Sequence, residues 1–194
     1  MLVEPKLRSR RNAVIALALW VPASFAEYFF AAPVRAEALS EYEVKAAFLL
    51  NFTKFVEWPA SAFPEPKSPL TICILGKDPF GRTLDELVAG EDVSGRPLAV
   101  RRITRPPEPG ACQVLFLAKG TGDVADVLRG LRRDVLTVGD RPDFLLQGGM
   151  IAFVLDNRRV RFDINQTAAE AAGLKLSSRL LMVARSVGKQ SRAF

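Results

Sequence analysis

LTICILGKDPFGRTLDELVA, residues 70–89, decides the fold class. Its first six residues, Leu70 to Leu75, form a short apolar run rich in β-branched side chains, which reads as a buried strand. Gly76 to Gly81 then turns the chain, and a short amphipathic helix is expected around Thr83 to Ala89. The same alternation continues outward. Pro97 to Arg102 reads as a second strand, and RPPEPG, residues 105–110, as a stiff loop. QVLFLA, residues 113–118, reads as a third strand, Val124 to Leu131 as a helix, and Val135 to Val138 as a fourth strand. Strands alternating with helices predict an α/β fold: a single-domain mixed, largely parallel sheet flanked by helices on both faces.

The flanks complete this domain. Ser40 and Glu43 have the spacing of a capping box, in which each side chain bonds the other residue's backbone N–H at a helix start. Val44, Ala47, Phe48, Phe52, Phe55 and Val56 follow at helical spacing, and Trp58-Pro59 should stop the helix because the residue before proline avoids α geometry. A proline-rich loop carries Pro59, Pro64, Pro66 and Pro69. Beyond the fourth strand, Asp140 to Gly149 reads as irregular. Met150 to Leu155 and Arg159 to Ile164 read as a β-hairpin joined by Asp156-Asn157-Arg158. Thr167 and Glu170 suggest a second capping box, opening a short helix that ends at Gly173. A last helix would carry Leu176, Leu180, Val183 and Val187 on one side, with a basic exit at Arg185, Lys189 and Arg192.

Residues 1–36 read as a cleaved export signal. Lys6, Arg8, Arg10 and Arg11 precede the apolar run Ala13 to Ala23, and small residues follow in AAPVRAEA, the order of a secretory signal peptide. Cleavage is expected after Ala36, with Ala38 as second choice, leaving residues 37–194 as the domain. An uncleaved anchor fits less well, since Pro22 and Glu27 interrupt the ~20 apolar residues a span needs. Ser9-Arg10-Arg11 fits a twin-arginine signal poorly, because Asn12-Ala13-Val14 lacks the expected bulky apolar residue. Outside the cytoplasm thiols can oxidise. The two cysteines, Cys73 and Cys112, suggest one intramolecular bridge, and two buried free thiols are the alternative.

Composition narrows the chemistry. The net charge of +6 comes from 27 positives and 21 negatives; without the five positives and two negatives of residues 1–36, 22 and 19 remain, or +3. The basic residues are spread out, which argues against nucleic acid as a partner. Histidine is absent from the chain. That removes the usual general base near neutral pH, the Ser-His-Asp and Cys-His arrangements, and most zinc sites. Gly76-x-x-x-x-Gly81-Arg82-Thr83 approaches a phosphate-binding loop. Yet Arg82 stands where lysine is needed, Pro79 removes a backbone N–H, and Lys119 follows QVLFLA where an acidic residue would hold magnesium. Asp140, Asp143, Asp156 and Asp163 are scattered on turns and a hairpin, with no spacing that marks a catalytic pair.

Two places look suited to a protein partner. Phe52, Phe55 and Trp58 gather at the end of the first helix beside Glu57, either as a core stripe or as an interface hot spot. In the last long strand, Arg161 and Asp163 share one face while Val160, Phe162 and Ile164 share the other. The polar pair is either a solvated face or a docking patch.

KAAFLLNFTKFVEWP (residues 45–59), ICILGKDPFG (72–81), GRPLAVRRI (95–103), VLTVGD (135–140), GGMIAFVLDNRRVRFDIN (148–165) and AAGLKLSSRLLMVA (171–184) together resemble the YfiR-like family of periplasmic proteins. The resemblance runs in order along the whole expected domain. It implies a periplasmic, non-enzymatic repressor without a cofactor. Such a protein binds the periplasmic domain of an inner-membrane diguanylate cyclase, keeps cyclic di-GMP low, and is sequestered by an outer-membrane OmpA-like lipoprotein. It also implies a homodimer, and places Cys73 and Cys112 where one family disulfide is expected. A second, more C-terminal cysteine pair found in some members is missing, which favours a stabilising bridge over a redox switch. A different reading is a small-molecule binding module, whose ligand would sit in the crevice at the strand ends lined by Gly76 to Gly81.

Overall fold

The structure, a computed structural model, describes residues 40–108 and 110–188. The expected export segment, residues 1–36, lies outside the described residues, as do Lys189 and Arg192.

Helix α1, Glu41–Phe55, opens on the expected capping box: Ser40 Oγ accepts from the Glu43 N–H, and the Glu43 carboxylate accepts from the Ser40 N–H. Such a cap is worth about 1 kcal/mol. The helix stops at Phe55, before the expected Trp58-Pro59 boundary, because Val56–Glu57 (β1) is drawn into an antiparallel pair with Lys175–Leu176. Its innermost stripe is also turned from the expected one. Ala46, Leu49 and Phe52 are fully buried, with Lys45 beside them, whereas Val44, Ala47, Phe48 and Phe55 are only partly covered.

The elements that follow are β2 (Leu70–Leu75), α2 (Arg82–Val88), β3 (Asp92–Val93), β4 (Arg96–Ile103), β5 (Val114–Leu117), α3 (Val124–Gly130) and β6 (Leu136–Gly139). Then come β7 (Ile151–Asp156), β8 (Arg159–Asn165), α4 (Gln166–Ala171), β9 (Lys175–Leu176), α5 (Ser178–Val183) and β10 (Ser186–Gly188). The main sheet has eight strands in the order β10-β8-β7-β6-β5-β2-β4-β3. From β4 through β2, β5 and β6 to β7 every pairing is parallel, while β8 runs antiparallel to β7. The expected mixed, largely parallel α/β architecture is therefore the observed one. Every residue of β2, β5 and β6 is buried, as expected of parallel strands covered on both faces.

Two cores sit on the sheet. One packs side chains of α1, α2, α4 and α5 around Phe116, Phe153 and Phe162. The other packs α3 and Phe144 around Leu115, Leu117 and Cys73. Phe144 anchors the irregular 140–149 segment: a Cβ at Gly149 would collide with its ring, so glycine there makes room for a fully buried aromatic. The hairpin turns on Asn157 and Arg158, at φ 48° and 62°, the left-handed pair that matches the twist of adjoining strands.

The C-terminal expectations need correction. Thr167 and Glu170 form no capping box: Asn165 caps α4, its Oδ1 accepting from the Ala168 N–H at 3.1 Å, and Glu170 accepts from Gln166 Nε2. The single last helix is replaced by a strand, a six-residue helix and another strand. Leu176 lies in β9, Leu180 is buried in α5, Val183 is 58% exposed, and Val187 lies in β10. Ser177 caps α5, which fixes its start, and the Arg185 N–H donates to the Phe162 carbonyl at 2.8 Å, which lays the chain along β8. Arg185 thus serves the sheet edge rather than a helix end. Among the described residues no helix is long and apolar enough to cross a membrane.

Candidate functional site

In doubly wound sheets a ligand crevice opens outside the carboxyl ends of the strands where the winding direction changes. Here that point lies at β2, which has β4 on one side and β5 on the other. The loops around it are Gly76–Gly81 after β2, Lys119 after β5 and Asp140 after β6. The first turns of α1 cover the place. Tyr42 Oη and Lys45 Nζ each donate to Asp140 Oδ2 at 2.9 Å. Lys45 also pairs with Glu41, and Lys119 Nζ approaches Asp140 at 3.9 Å. The Lys45 and Asp140 side chains are 3% and 2% exposed, a rare depth for an ion pair.

Aromatic rings close the rest. Phe80, in the loop itself, is buried and sits edge-on to Tyr42 at 5.7 Å and to Phe116 at 4.8 Å. Lys45 Nζ lies 4.5 Å from the Tyr42 ring centroid, a cation–π contact. Burial, then the hydrogen bond to Asp140, pushes the Tyr42 hydroxyl up to about 12. The chain therefore fills its own crevice with a lysine, a carboxylate and two rings. Removing one member of such a pair typically costs about 3–5 kcal/mol, because the other charge is left buried alone.

The loop that approached a phosphate-binding pattern is stitched shut in the same way. Arg102 Nε donates to Asp78 Oδ2 at 2.9 Å, and its terminal nitrogens donate to Asp85 at 2.7 and 2.6 Å and to the Gly81 carbonyl at 2.7 Å. The hydrogen bonds from Arg102 hold the Asp85 carboxyl below its ordinary range and raise the guanidinium. The loop is a strand–turn–helix corner. Among the described residues no group of three or more Cys, Asp or Glu side chains is placed to hold a metal ion.

Cys73, within β2, and Cys112, just before β5, are bonded to each other with Cα atoms 5.8 Å apart. Both are buried beside Leu115 and Leu128, on the α3 side of the sheet. The bridge spans 39 residues, and closing a loop of that length stabilises by about 4 kcal/mol on the chain-entropy model.

The six residues marked as partner contacts do not form one patch. Phe52 is fully buried between Phe153 and Phe162, with ring centroids at 5.8 and 5.1 Å, and offers no surface. Phe55 and Trp58 are half-buried, and Trp58 Nε1 donates to the Gln113 carbonyl at 3.1 Å. Glu57 is exposed. On β8, Arg161 is exposed, but Asp163 is buried and held in a two-point ion pair by Arg185. That contact holds the Asp163 carboxyl below its ordinary range.

Sequence reading missed three anchoring residues. Gln113 is fully buried: its Oε1 accepts from the Thr71 N–H at 2.8 Å and its Nε2 donates to the Ala62 carbonyl at 2.6 Å. Lys45 and Tyr42 were missed as well. The available signal for Lys45 was its place on the apolar stripe that continues through Leu49, Phe52 and Val56.

The model of the YfiR/HmsC-like family matches residues 42–185, from the first turn of α1 to Arg185 beside β8. The chain belongs to the YfiR/HmsC-like family. That family is periplasmic, and its members are regulatory rather than catalytic. Among solved structures, a conserved domain protein from Vibrio cholerae is similar at 13% identity and a TM-score of 0.48. The alignment covers 77% of this chain and 61% of that one. No curated protein matches the chain.

Proposed function

We propose that this YfiR/HmsC-like protein is a non-enzymatic periplasmic repressor of an inner-membrane diguanylate cyclase. It binds the cyclase's periplasmic domain, favours the inactive state and keeps cyclic di-GMP low. An outer-membrane OmpA-like lipoprotein competes for it and relieves the repression, and the repressor acts as a homodimer. Binding of this kind shifts a two-state partner only by the difference in affinity for its two states.

The observation that carries the reading is the family match over residues 42–185, which takes in both cores and, but for Glu41, the helices of the described residues. Two features support it. The buried Cys73–Cys112 bridge suits an oxidising compartment. The crevice where a substrate would enter is filled by Tyr42, Phe80 and the Lys45–Asp140 pair. Glu57 and Arg161, both exposed, with the uncovered edges of Phe55 and Trp58, are the proposed contacts.

Crosslinking in the host, with a tagged chain exported to the periplasm, tests the partnership. The expected product is a membrane protein carrying a cytoplasmic diguanylate cyclase domain, diminished by Arg161→Glu. Crosslinks that never include such a protein would sink the reading.

A further inference from the structure

At the opposite end of the sheet, the amino ends of β6 and β7, a cavity of about 490 Å³ lies between the end of α3 and α4. This falls within the range of pockets that enclose small organic molecules, roughly 300–1,000 Å³. Leu128 from α3, Val135 ahead of β6 and Met150 ahead of β7 give it an apolar interior. Arg129, Arg132 and Arg133 stand along one wall, and no acidic side chain lines it.

Two of the three positive charges there form no ion pair among the described residues. Arg129 is paired with Asp126. Arg132 and Arg133 are exposed, line the cavity, and form no ion pair among the described residues. Asn165 is 5% exposed and also lines the cavity. Its Oδ1 is used to cap Ala168, and its amide NH₂ donates no hydrogen bond among the described residues. The cavity thus combines an apolar body, two guanidinium groups with no ion pair among the described residues, and an amide donor. That combination selects an acceptor-bearing ligand with negative charge, since guanidinium groups bind carboxylates through paired N–H donors.

We propose that this cavity binds a small amphipathic carboxylate, its head on Arg132 and Arg133 and its apolar body on Leu128, Val135 and Met150. The site is separate from the proposed partner contacts and does not depend on the regulatory reading.

Isothermal titration of the purified protein with octanoate tests it, with octylamine as the probe of opposite charge. Octanoate is expected to bind and octylamine not to. The exposed double substitution Arg132→Gln with Arg133→Gln should weaken octanoate at least about tenfold, the loss expected for charge-assisted hydrogen bonds. Ala171→Trp, at an exposed position on the α4 wall, should abolish binding while the unfolding midpoint stays unchanged. Absence of octanoate binding, equal binding of octylamine, or undiminished binding by the double arginine variant would each overturn the proposal.

Discussion

The two ends of the sheet are built oppositely. At the carboxyl ends, where α/β sheets usually take ligands, α1 inserts Tyr42 and Lys45 onto Asp140 and buries the ion pair. At the amino ends, where loops ordinarily serve stability, a cavity opens beside Arg132 and Arg133, which form no ion pair among the described residues. A shared sheet order therefore does not fix where a ligand goes. The helix added ahead of β2 settles it, by occupying the crevice itself. One end has become part of the core and the other is left accessible.

Breaking the closed end should have the largest effect. Lys45→Met leaves the buried Asp140 with only the exposed Lys119 at 3.9 Å, and a loss of about 3–5 kcal/mol in urea unfolding is expected. Adding Asp140→Leu should recover a large part of that loss, because a buried pair replaced by apolar groups is often neutral. A double variant no more stable than the single would show that the pair contributes more than mutual neutralisation.

The bridge comes next. Replacing Cys73 and Cys112 by alanine should cost about 2–4 kcal/mol, read as a lower urea midpoint, and should leave octanoate binding intact. Loss of octanoate binding in a still-folded variant would show that the bridge holds the cavity wall in place through Leu128 and Val135, which pack in the same core.

Asp163→Asn is a smaller change, about 1–2 kcal/mol, since its partner Arg185 is partly exposed. Its pH dependence has a definite sign. The Asp163 carboxyl is held below its ordinary value by Arg185, so its contribution is present above the unfolded value near about 3.9 and fades as pH falls through the lower folded value. Unfolding at pH 7 and at pH 3 should show the variant deficit shrinking in acid.

The smallest stability effects are expected at the proposed contacts. Glu57→Lys and Arg161→Glu should change stability by less than about 0.5 kcal/mol while weakening crosslinking to the proposed membrane partner. A large stability loss at either would place it in the fold rather than at an interface.

The strands of the parallel core were legible in the sequence because burial on both faces leaves an uninterrupted apolar run, as in LTICIL and QVLFLA. The hairpin was legible from alternation and from Asn157 at its turn. The short strands β1, β9 and β10 were not, because two or three residues carry no period and their pairing partners lie far along the chain. For the same reason Val187, apolar and at helical spacing from Leu180, was placed in a helix. The aromatic cluster at Phe52 was visible, but periodicity cannot say which of several rings turns inward. Lys45 stood on the apolar stripe of α1 in plain view. Its meaning depended on Asp140, which only the β6 register brings beneath it. The amino-end cavity was not legible at all, since its walls come from α3, β8 and α4.

Intracellular cyclic di-GMP, measured in a strain deleted for this gene and in the same strain complemented with it, tests the central claim most directly. The level should rise on deletion, return with the wild-type gene, and return less fully with Arg161→Glu exported at equal abundance. An unchanged level on deletion, under conditions where the wild-type protein is present in the periplasm, would contradict repression of a diguanylate cyclase.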